Sequence, residues 1–395
     1  MKLHVLIEDV QLWDGTGSPA QPKMSVEVRD GRIHWVGPAS QWQGSRATVR
    51  VVDGRARTLI PGLMDCHVHY SSPGGPDWIA RFTDPLPEIS MRAVELAETS
   101  LRSGVTTARD VGASNEVSIK LAHAAQAGEI RAPNIRAAGT WIAHRGTYVS
   151  FARHFGEADE LRGAIRAEIE AGADLIKVAL SGWNEGARPE GSPDIPFDEK
   201  LLAVAVEETH KGGFKIACHA NDPASCRIAA YAGVDSLEHG MFLEAGDLEA
   251  MAKNKTFLVP TMSVWDAMLY YAHAVDWPEA RKKRAEDLRQ GSRAAVSAAI
   301  GAGVKIALGT DAGGGAARHG RIAREAELMV ECGMEPRSAL IAATSSAAQL
   351  IGESERGTIE EGKIADLVLL DANPLENIGA LRLIAAVFQS GRRVS

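Results

Sequence analysis

The sequence predicts an α/β fold: a (β/α)8 TIM barrel with a small β-sandwich domain built from both termini. Three observations carry that prediction. Between residues 59 and 352, apolar runs of strand length alternate eight times with Ala-, Glu- and Arg-rich stretches of helical period. Both flanking segments hold short β-type runs broken by turn dipeptides. The residues capable of chemistry gather where the strand-like runs end, the face on which such barrels place their active sites.

Taken in order, residues 1–58 give LHVLIEDVQLW, then SVEVRDGRIHWVG around an Asp30-Gly31 turn, then VVDGRARTLI around Asp53-Gly54. Residues 353–395 repeat the style in GTIEEGKIADLVLLD and AAVFQSGRRV, so the two ends are expected to pair into one β unit. The barrel between them, 59–352, has candidate strands at 59–70, 106–112, 134–142, 174–180, 215–220, 236–241, 257–262 and 305–313. Eight such units suit a closed barrel, whereas a doubly wound open sheet more often stops at five or six.

Composition narrows the function. A net charge of −8 supplies no basic footprint for a nucleic-acid backbone or an anionic membrane, so neither is an expected partner. Glu8 and Asp9 interrupt the first apolar stretch, which speaks against a signal peptide, and the chain reads as cytoplasmic. Its four cysteines are too scattered for a disulfide framework and read as reduced thiols. Gly15-x-Gly17 has no helix after it, which removes a dinucleotide fingerprint.

His67 and His69 close the first strand, Lys177 lies in the fourth, and His219, His239 and Asp311 close the fifth, sixth and eighth. Singly, each has an ordinary reading, a core histidine or a helix cap. Six together, drawn from five strands of one barrel, point to a metal centre. Strand alternation puts His67 and His69 on one face with Asp65 beneath them. Asp65 then has two readings, a partner for a ligand histidine's far nitrogen or for a backbone amide. The same alternation turns Cys218 and Glu238 away from the lumen if His219 and His239 face in. Lys177 would set an ammonium beside cations unless its amine has taken up CO2 to form a carbamate, whose two oxygens can each bind one metal; the structural alternative is a lysine paired with an acid or reaching up to solvent. Two divalent ions against Asp311, the carbamate and a bridging hydroxide leave one positive charge to meet a tetrahedral intermediate.

PGLMDCHVH, DLIKV, ACHA, LEHG, GTDAG and GTIEEGKIADLVLLDANP together resemble the amidohydrolase superfamily over nearly the whole chain, most closely its branch of metal-dependent dipeptidases, prolidase-type and imidazolonepropionase-related enzymes and ochratoxin-hydrolysing amidases. The resemblance implies two divalent ions, usually zinc, bridged by carboxylated Lys177. His67, His69 and Asp311 would hold the more buried ion, and His219 and His239 the more exposed one. It also implies a homo-oligomer. The expected reaction is hydrolysis of an amide in a small molecule: the exposed ion polarises the carbonyl, the bridging hydroxide attacks after giving its proton to Asp311, and Asp311 protonates the leaving nitrogen. A lactone or cyclic-amide hydrolase, and an inactive scaffold on this fold, are the alternatives.

Around the mouth, Tyr148, Trp183 and Trp265 are expected to line a pocket. His144, Arg145 and His319 are candidate substrate contacts, with His144 also a candidate for catalysis and a surface loop the alternative for His144 and His319. Asp110 reads as a support for the site or a loop cap, and Gly313–Gly315 as room for a ligand near Asp311. Aromatic residues beside Arg153, Arg188 and Arg318 fit an N-acyl amino acid or dipeptide with a bulky apolar group and a carboxylate.

Overall fold

The structure, a computed structural model, describes residues 3–182 and 197–395. Its outer sheet is assembled from both ends of the chain. Strand Thr58–Pro61 lies between His4–Leu12, to which it runs parallel, and Leu367–Leu370, to which it runs antiparallel. Gln21–Arg29 and Arg32–Pro38 extend the sheet on one side, Ile384–Gln389 and Arg392–Arg393 on the other, and Arg50–Asp53 pairs with the first half of His4–Leu12. The expected turn between Arg29 and Arg32 is present. Asp30 and Gly31 both have positive φ, 48° and 87°, the backbone whose twist matches that of the flanking strands. Ile7, Val26, Ile33, Leu59, Leu367 and Phe388 form the core of this sheet.

The barrel strands are parallel: Leu63–Val68, Val105–Asp110, Asn134–Ala137, Leu175–Ala179, Lys215–Ala220, Ser236–His239 and Phe257–Val259. Ile142–His144 continues the third position and pairs with the fourth strand. The eighth position, 305–312, departs from the regular strand expected over 305–313. It still joins both neighbours, through Ala307 N to the Leu258 carbonyl and through Cys66 N to that of Leu308, so the ring closes. Asp311, at φ 52°, and Gly309, whose backbone lies against His67, break its regularity. The expected first strand, 59–70, divides at Gly62. Its first residues belong to the outer sheet, and a Cβ at Gly62 would stand 2.1 Å from Thr106 Oγ1, so only glycine lets the backbone pass.

Helices wrap the ring because their apolar residues form single stripes. In Leu86–Arg102, Ile89, Ala93, Ala97 and Leu101 recur every fourth residue and are buried. Each of the larger two contributes about 1.5–3 kcal/mol by burial. Pro223–Ala232, which follows His219, starts at Asp222, whose carboxylate accepts from Ala224 N and Ser225 N, and stops at Gly233 with φ 78°. This fixes the turn just beyond the fifth strand. Cys66 packs outward among Met64, Val259 and Ala347, which leaves the opposite face of the first strand to Asp65 and His67. Among the described residues, no helix is long and apolar enough to cross a membrane.

Candidate metal centre

His67, His69, Lys177, His219, His239 and Asp311 are all buried, each with at most 3% of its surface exposed. His67, His239 and Asp311 offer ligand atoms within 4.8 Å of one another. His69 Nε2 lies 3.2 Å and His67 Nε2 3.4 Å from the same oxygen, Asp311 Oδ1. The His219 ring centre is 4.5 Å from that of His239.

What aims these rings is the bond each makes with its other nitrogen. His67 Nδ1 donates to Glu238 Oε2 at 2.6 Å and His69 Nδ1 to the Gly112 carbonyl at 2.6 Å. Both partners only accept, so the proton is fixed on Nδ1 and Nε2 keeps its lone pair toward Asp311. His239 Nδ1 is bonded to Thr261 Oγ1 at 2.7 Å. Burial, then the nearby Lys177 charge, hold His67 and His219 well below the usual histidine range; burial and the neighbouring histidines do so for His239. All three therefore stay neutral, the form that binds metal.

Burial pulls Lys177 down to about 8, aided by the Arg109 charge and opposed by the nearby Glu238 and Asp311 carboxylates. Neither Lys177 Nζ nor His219 Nε2 has a hydrogen-bond partner among the described residues, although both are buried. Buried polar atoms are seldom left so. Together with the histidine and carboxylate donors, these orphans fit a divalent ion of the zinc class. Gly314 also fits. A Cβ there would lie 2.0 Å from Asp311 Oδ1 and 2.6 Å from His69 Nε2.

Two readings made from alternation resolve differently. Glu238 was expected to face away from the lumen, yet it points in and bonds His67. The cause is His239, whose φ of 69° ends the strand and turns its own ring inward after Glu238 has already faced the lumen. Asp65 takes its second reading: it accepts from His67 N, Thr310 N and Thr310 Oγ1, tying the first strand to the eighth. Burial pushes its carboxyl up to about 6. Asp110 holds the loop through Tyr70 N and Gly112 N, and so sets the carbonyl that His69 uses.

The mouth residues fall into distinct places. Trp265 is buried 5.9 Å from the His239 ring, and Tyr148 is half-buried 5.1 Å from that of His219. His144 packs on Phe155 with Nδ1 3.0 Å from the Arg145 carbonyl. Arg145 is ion-paired to Glu160, and Arg153 to the buried Glu168. His319 is buried, stacked on Tyr70 and bonded to the Ser72 carbonyl, and burial takes it down to about 4. Trp183 and Arg188 lie outside the described residues.

Reading the residues alone missed Glu238, Arg109 and Thr261. A charged residue inside the apolar strand TTARDV was the available signal for Arg109.

Residues 58–394 match the amidohydrolase family model. The chain belongs to the amidohydrolase family. It is a hydrolase of that family acting on carbon–nitrogen bonds. It is 29% identical over 402 residues to the ochratoxinase of Aspergillus niger, covering 92% of this chain and 80% of that one. Against an imidazolonepropionase of Paracoccus denitrificans the identity is 25%, covering 90% and 89%. The solved structure of a Xaa-Pro dipeptidase with methionine bound in its active site superposes with a TM-score of 0.85 at 28% identity, covering 99% of both chains. These likenesses accord with a mixed α/β fold of barrel plus sandwich and with a metal-dependent enzyme related to prolidases and ochratoxinase.

Proposed function

We propose that this amidohydrolase is binuclear and cleaves the amide bond of a small N-acyl amino acid or dipeptide carrying a bulky hydrophobic group. One observation carries the reading: His67 and His69, with Nδ1 bonded away and Nε2 facing Asp311, share a buried site with His239 and with the orphaned Lys177 and His219. His67, His69 and Asp311 would hold one ion and His219 and His239 the other, and Lys177, as its carbamate, would be a ligand to both. Zinc suits these donors. Bound there, the ions supply Lewis acidity toward the scissile carbonyl and lower the pKa of water.

The chain's own residues do the rest. The Asp311 carboxylate takes a proton from the attacking water and returns it to the leaving nitrogen. Glu238, Gly112 and Thr261 hold the three rings in place. Trp265 and Tyr148 wall the His239 and His219 sides and receive the apolar group. Of the arginines considered for a substrate carboxylate, Arg188 lies outside the described residues, and Arg145 and Arg153 already hold acids. Arg318, exposed on the loop after Asp311 and 3.3 Å from the Tyr271 hydroxyl, has no acidic partner among the described residues. It takes the carboxylate.

The test compares an N-acyl amino acid with its C-terminal amide on the zinc-loaded enzyme. Loss of the carboxylate should lower kcat/KM by ~10-fold or more, the effect of a charge-assisted bond of ~1.5–3 kcal/mol, and Arg318→Met should erase the difference. Equal rates would remove the clamp and bring lactones or neutral cyclic amides forward. No hydrolysis of either, with two metals bound, would remove the amide assignment.

A further inference from the structure

Arg109 enters the lumen from the second barrel strand and is 3% exposed. Its guanidinium reaches across the barrel. Nε donates to the Cys66 carbonyl at 2.5 Å, Nη1 to Ser236 Oγ at 2.8 Å and Nη2 to Glu238 Oε1 at 2.7 Å. Ser236 Oγ donates to the same Glu238 oxygen. The other oxygen, Oε2, accepts His67 Nδ1. One side chain therefore spans the first, second and sixth strands, and it touches His67 by two routes, through the peptide just before it and through the carboxylate that orients its ring.

A buried arginine–carboxylate pair is a costly way to fill a lumen. Apolar residues of similar volume are often neutral or more favourable there, so the pair contributes something other than stability. Glu238 has few positions in which Oε2 meets the His67 ring squarely, and two donors on Oε1 select one. The fork geometry of the guanidinium matters, because an ammonium could not reach the carbonyl, the hydroxyl and the carboxylate together.

We infer that Arg109 is a positioning residue for metal ligation: acting through Glu238 and the Cys66 carbonyl, it fixes the His67 ring so that Nε2 faces Asp311 and His239. This rests on the metal-dependent reading above and extends the site to the floor of the barrel, remote from substrate.

The experiment follows metal loss, not turnover. Wild type, Arg109→Met, Arg109→Lys, Glu238→Gln and the Arg109→Met/Glu238→Gln double variant are loaded with zinc, and its release to a chelating dye is timed. The same set loaded with Co2+ is read by visible absorption, which reports ligand geometry and which a loss of stability alone would not move. Removing a partner that orients a ligand typically costs 10–100-fold in metal affinity, so Arg109→Met and Glu238→Gln should each release metal that much faster, with an altered Co2+ spectrum. Arg109→Lys should fall between. The double variant should release metal faster than Glu238→Gln but well short of the product of the two single effects, because the arginine acts largely through the glutamate and only in part through the Cys66 carbonyl.

Wild-type release and spectrum in Arg109→Met, or losses that multiply in the double variant, would overturn the inference. If Arg109→Met does not fold, near-isosteric Glu238→Gln decides alone, and wild-type release from it has the same force. A wild-type protein that binds no metal would instead remove the parent reading, an outcome visible before any variant is compared.

Discussion

Gly314→Ala is the smallest change that should disable the site. The added methyl carbon would sit 2.0 Å from Asp311 Oδ1, 2.2 Å from His69 Cδ2 and 2.6 Å from His69 Nε2. The first of these is about 1.4 Å short of the 3.4 Å at which ordinary contact begins. Gly314 is outside the positive-φ set, so alanine fits its backbone and the cost falls on the two side chains it meets. Asp311 cannot retreat far, since its backbone N–H is bonded to the His67 carbonyl. His69 is held from behind by the Gly112 carbonyl and edge-on by Trp141 at 5.0 Å. A displacement of about 1 Å at reacting groups costs on the order of 10²-fold in rate, and overpacking of a full core costs about 1–3 kcal/mol. The variant should fold with a modestly lower melting temperature, bind less zinc by elemental analysis and lose about two orders of magnitude in kcat. Wild-type zinc content and turnover in Gly314→Ala would mean that Asp311 Oδ1 and His69 do not meet at the working centre as described, and the ligand assignment would fall with it.

Asp311→Asn keeps shape and loses basicity, so turnover should fall by ~10²–10⁴-fold; near-normal steady-state rates would make Asp311 structural only. Lys177→Met replaces a buried, unpartnered amine with an apolar chain of similar length, so metal and activity should vanish while the metal-free protein melts no lower than wild type. A lower melting temperature would show that the amine is satisfied in the fold. Because Lys177 is lowered to about 8, its amine is protonated and unreactive below that pH and free above it. Activation of metal-free enzyme by zinc and bicarbonate should therefore accelerate as pH rises through about 8, and a flat profile would remove the carbamate. Gly163 lies exposed within helix Ala158–Glu170 with nothing within 4 Å of its would-be Cβ, so Gly163→Ala should raise stability by about 0.5–1 kcal/mol in denaturant titration and leave kcat unchanged.

Much of this architecture is legible in the residues because their signals are local. Asp30-Gly31 dictates its own turn, Ile89 to Leu101 write a helical stripe, and side-chain alternation places Cys66 against Ala347 with Asp65 and His67 opposite. Alternation fails where a strand ends. Glu238 and His239 both face the centre since the backbone leaves the extended region at His239, and a period of two carries no information past that point. The eighth strand escapes for a related reason: apolar KIAL suggests a ladder, but Gly309 and Asp311 are shaped by contact with His67, a partner roughly 240 residues away in sequence. Asp65 had two equal readings because the choice depends on Thr310, which the local sequence cannot bring near.

The strand Thr58–Pro61 has a consequence for how the molecule is made. It needs Leu367–Leu370 on its open side, and that partner is synthesised roughly 300 residues later. At ~5–20 residues per second, translation leaves the edge bare for roughly 15–60 s. All four of its residues are buried in the finished protein, so during that interval an adhesive edge hangs directly from the first barrel strand. A ribosome that stalls before residue 367 would therefore release a chain prone to cross-pair with its neighbours, and slow codons over the last third of the message would be expected to lower soluble yield without altering a single residue.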